Sequence, residues 1–127
     1  MVNINLGELR EIVEGLNEVL NKELPIKPAY WLGKLAKKIQ KEFAELEENR
    51  MKLVQKYARK GENGQPLVEN NKFLFADQGS FDLQYKELIE TDIEIDFIPI
   101  ALDKLGDVKL SPIAMIGLEK FLAVDDE

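Results

Sequence analysis

From Pro28 to Lys60 the chain carries one continuous amphipathic pattern, in which Leu32, Ala36, Ile39, Phe43, Leu46, Arg50, Leu53 and Tyr57 follow one another at alternating steps of four and three. Such steps average about 3.5 residues and hold one helix face towards a single partner over several turns. At 1.5 Å rise per residue this helix would be roughly 50 Å long, more than a compact domain of this size covers along its whole length. The second half of the stripe therefore needs a cover, either the carboxy-terminal half of the chain or another subunit. Arg50 is the one charged member.

The segment before it shows a shorter stripe, Leu6, Leu9, Val13, Leu16 and Leu20, and predicts a helix from Gly7 to about Lys22. Gly15 lies inside it at a cost of up to about 1 kcal/mol relative to alanine. The link Glu23-Leu24-Pro25-Ile26-Lys27-Pro28 stops one helix and starts the next, because proline cannot continue a helix but fits its first turn. Two amphipathic helices joined this closely predict an antiparallel hairpin. Ahead of both, Val2, Ile4 and Leu6 alternate as in a short strand.

Gly61, Asn63, Gly64 and Pro66 end the helical half. Beyond them Leu67-Val68 and Phe73-Leu74-Phe75 predict a hairpin turning at Asn70-Asn71. Asp77 to Ser80 start a third helix bearing Phe81, Tyr85, Leu88 and Ile89. Ile93, Ile95 and Phe97 alternate with Asp92, Glu94 and Asp96 as a strand with one apolar and one acidic face, and Pro99 breaks it or sets it at an edge. Ile100 and Leu102 could extend it after the bend, a turn at Leu105-Gly106-Asp107 leads to a strand at Val108–Leu110, and Ser111-Pro112 opens a final helix running to Leu122. Val124 to Glu127 read as a solvated tail. The expected class is α+β: an amino-terminal antiparallel helical hairpin with one long helix, packed on a small, mostly antiparallel sheet with short carboxy-terminal helices. At 127 residues, with no internal repeat and no linker, the chain reads as one domain in two halves, 1–60 and 61–127.

The chain has neither cysteine nor histidine. Disulfides, thiolate metal sites, cysteine nucleophiles and histidine-based triads are excluded, and no phosphate-loop, dinucleotide or nucleophile-elbow spacing occurs. The net charge of −7 is unevenly shared: 12 Lys/Arg and 9 Asp/Glu in residues 1–60, against 5 and 15 in residues 61–127. An acidic chain of this kind repels long nucleic acid, while a local basic face can still hold a small phosphate ligand within a Debye length of about 10 Å. No run approaches the ~20 apolar residues of a membrane span and no signal peptide stands at the amino terminus, so the expectation is a cytoplasmic protein with no membrane partner.

Two basic groups stand out. Arg50, with Lys56, Tyr57, Arg59 and Lys60, is either a register device paired with a carboxylate of the acidic half or an anion site between helices or subunits. Lys34, Lys37, Lys38 and Lys41, with Tyr30 and Trp31 at the start of the same helix, are either a solvated face or a nucleotide site in which a ring stacks on a base and lysines hold the phosphate. Asp92, Glu94 and Asp96, with Glu87, Glu90 and Asp103, are either a solvated row or oxygen ligands for calcium or magnesium, though no calcium-loop spacing is present. The expected ligand-binding set is Arg50, Lys56, Tyr57, Arg59, Lys60, Trp31, Lys34 and Lys38, with no cofactor, no metal and no catalytic residue.

Four stretches carry a resemblance: Leu24-Pro25-Ile26-Lys27-Pro28-Ala29-Tyr30-Trp31-Leu32, the helix end Leu53-Val54-Gln55-Lys56-Tyr57, Glu87-Leu88-Ile89-Glu90-Thr91-Asp92-Ile93-Glu94-Ile95, and Leu105-Gly106-Asp107-Val108-Lys109-Leu110-Ser111-Pro112. In these the chain resembles small bacteriophage- and prophage-encoded proteins of unknown function from low-GC bacteria. The resemblance implies a phage accessory protein in the host bacterial cytoplasm. The stripe left uncovered on the second half of the long helix implies a homo-oligomer joined there, and with the basic first half and the missing catalytic chemistry the expectation is a binding protein that antagonises host defence by binding a host component, with a signalling nucleotide as candidate ligand. The alternative is a structural or assembly factor that contacts a virion protein of the phage head or tail.

Overall fold

The computed structural model describes residues 1–123 and has the α+β architecture expected. In order, β1 (Val2–Asn5) leads through a 3-10 turn into α1 (Leu9–Leu20), and α2 (Ile26–Tyr57) follows after a five-residue link. Next come the hairpin strands β2 (Val68–Glu69) and β3 (Lys72–Phe73), α3 (Gln78–Ile89), β4 (Asp92–Ile95), β5 (Ile100–Ala101), a 3-10 turn at Leu102–Leu105, α4 (Pro112–Leu118) and β6 (Leu122–Ala123). The strands form three separate pairs: β1 with β4 and β2 with β3 antiparallel, β5 with β6 parallel.

Local chemistry accounts for most boundaries. Asn5 opens the first turn with a reciprocal cap: its backbone N–H donates to Glu8 Oε2 at 2.8 Å, and Glu8 in turn takes Lys120 Nζ at 3.0 Å. Asn70 and Asn71, with φ of 53° and 63°, supply the left-handed pair that closes β2 onto β3. Asp77 caps α3 by accepting from the Ser80 amide at 3.1 Å and the Ser80 hydroxyl at 2.7 Å. Ser111 caps α4 from its hydroxyl oxygen, with Pro112 in the first position, and its own amide donates to Glu18 Oε2 of α1 at 2.8 Å.

The core lies where α1, the first half of α2, α4 and the β1–β4 pair meet, around Ile4, Leu9, Val19, Leu32, Leu35, Ile39, Leu118 and Phe121. The distal half of α2 is covered from within the chain. Leu46 and Val54 are buried, Phe43, Leu53 and Tyr57 half-buried, and the cover is α3, with the segment from Leu74 to Asp77 bonded to the end of the helix. The main chain ties this end together, with Ala76 N–H donating to Tyr57 O at 2.8 Å and Arg59 N–H to Leu74 O at 2.8 Å, while Phe75, Phe81 and Tyr85 form an aromatic column with centroids 4.3 and 5.7 Å apart. Of the two covers open to the stripe, the chain itself supplies one.

Several expected boundaries differ. The long helix spans Ile26–Tyr57, because Ala58 and Lys60 pair in extended bridges with Phe75 and Pro66. The strand expected through Phe97 pairs only to Ile95, and Phe97 turns its ring into the core. Val108–Leu110 is no strand; Val108 and Leu110 half-bury against the core from an irregular segment. The last helix stops at Leu118, where a turn drops Phe121 into the core and frees Leu122–Ala123 to pair in parallel with β5. The tail expected at Val124–Glu127 lies outside the described residues.

Among the described residues two carboxyl groups are displaced from their ordinary values, both downward and both by hydrogen bonds at helix caps. The Ser111 amide, then its hydroxyl, lowers Glu18, and the Ser80 hydroxyl, then its amide, lowers Asp77. A group whose pKa is lower folded than unfolded adds stability above its unfolded value and loses it as pH falls through its folded value. Urea midpoints should therefore fall as pH drops below the ordinary carboxylate range, about 4 to 4.5. Glu18→Gln should lower the midpoint at neutral pH and flatten this acid dependence.

Candidate functional site

The amino-terminal third of α2 sets aromatic rings and ammonium groups side by side on its exposed surface. Tyr30 and Trp31 meet edge to face with centroids 5.2 Å apart, and Lys34, one turn on, places Nζ 4.8 Å from the Tyr30 centroid and 5.5 Å from that of Trp31. Both rings are about half exposed, 54% and 52%. Lys38, one turn further, donates Nζ to the Asp96 carbonyl oxygen at 2.8 Å, tying α2 to the segment that leaves β4.

That segment forms a second wall. After β4 the chain runs Asp96-Phe97-Ile98-Pro99-Ile100, and Pro99, lacking an N–H, suits an irregular stretch between β4 and β5. Phe97 is buried and packs edge to face on Phe121 at 5.7 Å, while Ile98 is 85% exposed. Between α2 and this wall lies a groove of about 480 Å³, with Trp31, Leu35, Phe97, Ile98, Pro99 and Ile100 as its apolar lining and Lys34, Lys38 and Asp96 as its polar groups. Its size and character suit a small ligand that presents a flat apolar group and an anion.

The expected site residues fall into two places. Trp31, Lys34 and Lys38 share the groove. Arg50, Lys56, Tyr57, Arg59 and Lys60 sit at the other end of α2 and beyond it. Lys56 is roughly 38 Å along the helix from Trp31, too far for one small ligand. Arg50 donates from Nε and Nη2 to Glu47 Oε2 at 3.1 and 3.0 Å, so its partner is a carboxylate of its own helix rather than of the acidic half. With its side chain 30% exposed, it avoids the cost of full burial. Lys60 Nζ donates to the Gln55 carbonyl, the Tyr57 hydroxyl accepts from Gln84 Nε2, Lys56 Nζ lies 5.2 Å from the Tyr57 centroid, and the main chain of Arg59 is bonded to Leu74 and Leu67. This end is occupied by contacts that close the helix.

Leu35 and the residues from Phe97 to Ile100 are the groove members that the sequence reading missed as site residues, and Asp96 was weighed there only as a metal ligand. The pattern Phe97-Ile98-Pro99-Ile100, apolar yet broken by proline, was the available sign of an exposed apolar loop. The acidic residues Asp92, Glu94 and Asp96 are all exposed, and among the described residues no three acidic side chains converge as a metal-binding group. A larger depression of about 770 Å³ is lined by Leu102, Val108, Leu110 and Met115, with Asp103 and Lys104, but has no aromatic ring in its lining. No helix among the described residues is long and apolar enough to cross a membrane. Compared with protein-family models, curated proteins and solved structures, the chain gives no match.

Proposed function

We propose that the protein is a non-enzymatic binding module that holds a nucleotide-class ligand in the Trp31 groove. The observation that carries this reading is the position of Lys34 Nζ beside two half-exposed rings at the mouth of an apolar groove. A base stacks on Trp31 against Ile98 and Pro99, and the phosphate meets Lys34 with Lys38 at the rim. Stacking of this kind contributes about 1–3 kcal/mol per base. In the phage setting implied by the resemblance, the protein is an accessory factor that removes a host defence signal in the bacterial cytoplasm; the covered distal half of α2 removes the reason for a homo-oligomer joined there.

Trp31 is the only tryptophan, so its fluorescence reports on the groove without a label. Titration with linear mononucleotides and cyclic dinucleotides should give saturable quenching by at least one of them, weaker at high salt. Calorimetry should show the affinity falling at least tenfold in Lys34→Glu and in Trp31→Ala. Absence of binding by every nucleotide in the panel overturns the reading. The second reading, a head or tail assembly factor, is favoured by Ile113 and Ile116, which stand 67% and 60% exposed on α4. Cosedimentation with virions, in the absence of nucleotide binding, would select it.

A further inference from the structure

We infer that the flank of α2 centred on Gly33, on the far side of the helix from the groove, docks an acidic amphipathic helix of a partner protein. The inference is independent of the nucleotide reading. Glycine weakens a helix interior more than any residue except proline, and the glycines of α1 and α4 are explained by what sits on them. A Cβ on Gly15 would lie 2.9 Å from Leu118 Cγ, and one on Gly117 only 2.3 Å from the Glu11 carbonyl oxygen. A Cβ on Gly33 would meet nothing within 4 Å. The fold itself does not require Gly33, which leaves a notch in the surface of the longest helix.

The surroundings of the notch specify what fits it. Ile26, Tyr30, Gly33 and Lys37 follow at helical spacing on one flank, with Lys41 beside them, roughly 160° around the axis from Trp31 at its widest. Ile26 is 85% exposed and Tyr30 54%. From Leu24 to Lys41 there are five lysines and no acidic residue, in a chain whose net charge is −7. A helix crossing at the notch brings its backbone close, covers Ile26 and the Tyr30 ring with apolar side chains, and sets carboxylates against Lys37 and Lys41. A second copy of this face would bring lysine against lysine, so charge complementarity selects an acidic partner.

The probe is a fluorescein-labelled 21-residue helical peptide with alanine and leucine along one seam and glutamates on both sides, titrated by anisotropy into the full chain. Micromolar binding that weakens with salt is expected, with at least a tenfold loss in Gly33→Leu and in Lys37→Glu/Lys41→Glu. Gly33→Ala should raise Tm while weakening the peptide, a pairing of signs that a purely structural glycine would not give. Circular dichroism establishes that Gly33→Leu is folded, and an unchanged Trp31 titration in that variant separates this face from the groove. The inference is overturned if the peptide fails to bind or if Gly33→Leu binds it as tightly as the parent. It is equally overturned if anionic phosphatidylglycerol vesicles take the peptide's place as the ligand that the variants lose, or if light scattering shows that Gly33→Leu instead dissolves a dimer.

Discussion

Gly117→Ala should destabilise the protein by about 3 kcal/mol or more, at the upper end of what an added methyl costs in a packed site. The new Cβ would stand 2.3 Å from the Glu11 carbonyl oxygen and 3.0 Å from its carbon. Both are main-chain atoms inside α1, so no rotamer change relieves the contact, and α4 has to move off α1. That separation is costly because the α1–α4 contact is the most extensive between elements of the fold, burying Ala114 and Leu118 against Ile12, Gly15 and Leu16. In a protein whose whole stability is on the order of 10 kcal/mol, such a loss lowers Tm by about 10 °C. Gly15→Ala provides the comparison. There the near atoms are Leu118 Cγ at 2.9 Å and Ala114 O at 3.1 Å, tight but without the 2.3 Å main-chain overlap met at Gly117, and alanine recovers some helix propensity. Urea unfolding should rank Gly117→Ala well below Gly15→Ala, and the reverse order would mean that the two helices are not locked at Gly117.

The crossing also shows what a sequence can and cannot disclose. Gly15 is visible as an expense within the first amphipathic stripe, but its reason is a helix about 100 residues away in sequence. Leu32, Ala36 and Ile39 are read correctly as inward because the 3.5-residue stripe is long and regular. Leu35 and Val54, both at 0% exposure, fall off the stripe, since α2 touches different elements on different sides and a single-face pattern cannot encode two partners. The pairing of Arg50 was legible in the Glu47 three residues before it, a spacing at which helical side chains meet. Trp31, Lys34 and Lys38 were legible as neighbours for the same reason. Their groove was not, because its other wall enters from Asp96–Ile100, and no local signal reports a contact across some 60 residues of chain. The end of α4 was missed because Glu119-Lys120-Phe121 contains neither glycine nor proline. What stops the helix is the burial of the Phe121 ring.

Phe121→Ala should cost about 3–5 kcal/mol, as for other fully buried aromatic residues, and should reach the groove as well as the core. Phe121 is 0% exposed, its amide donates to Leu118 O at 2.8 Å, and its carbonyl accepts from Ile100 N at 3.0 Å. Its ring supports Phe97 edge to face at 5.7 Å, and Phe97 in turn is part of the groove floor. Removing the ring leaves a cavity directly beneath that floor, and neither Phe97 nor the Ile98-Pro99-Ile100 wall has another aromatic contact to hold it in place among the described residues. Phe121→Leu keeps most of the apolar volume but loses the edge-to-face geometry, and should cost nearer 1–2 kcal/mol. Urea midpoints measure the stability loss in both variants. The groove reads out separately through Trp31 emission in the folded baseline, which should shift in Phe121→Ala, where the wall opposite Trp31 relaxes. If Phe121→Ala left both the midpoint and the Trp31 emission unchanged, the link from the Phe121 turn through Phe97 to the groove would not exist. If it lowered the midpoint alone, the groove wall would be held by the Lys38–Asp96 tie rather than by the aromatic pair beneath it.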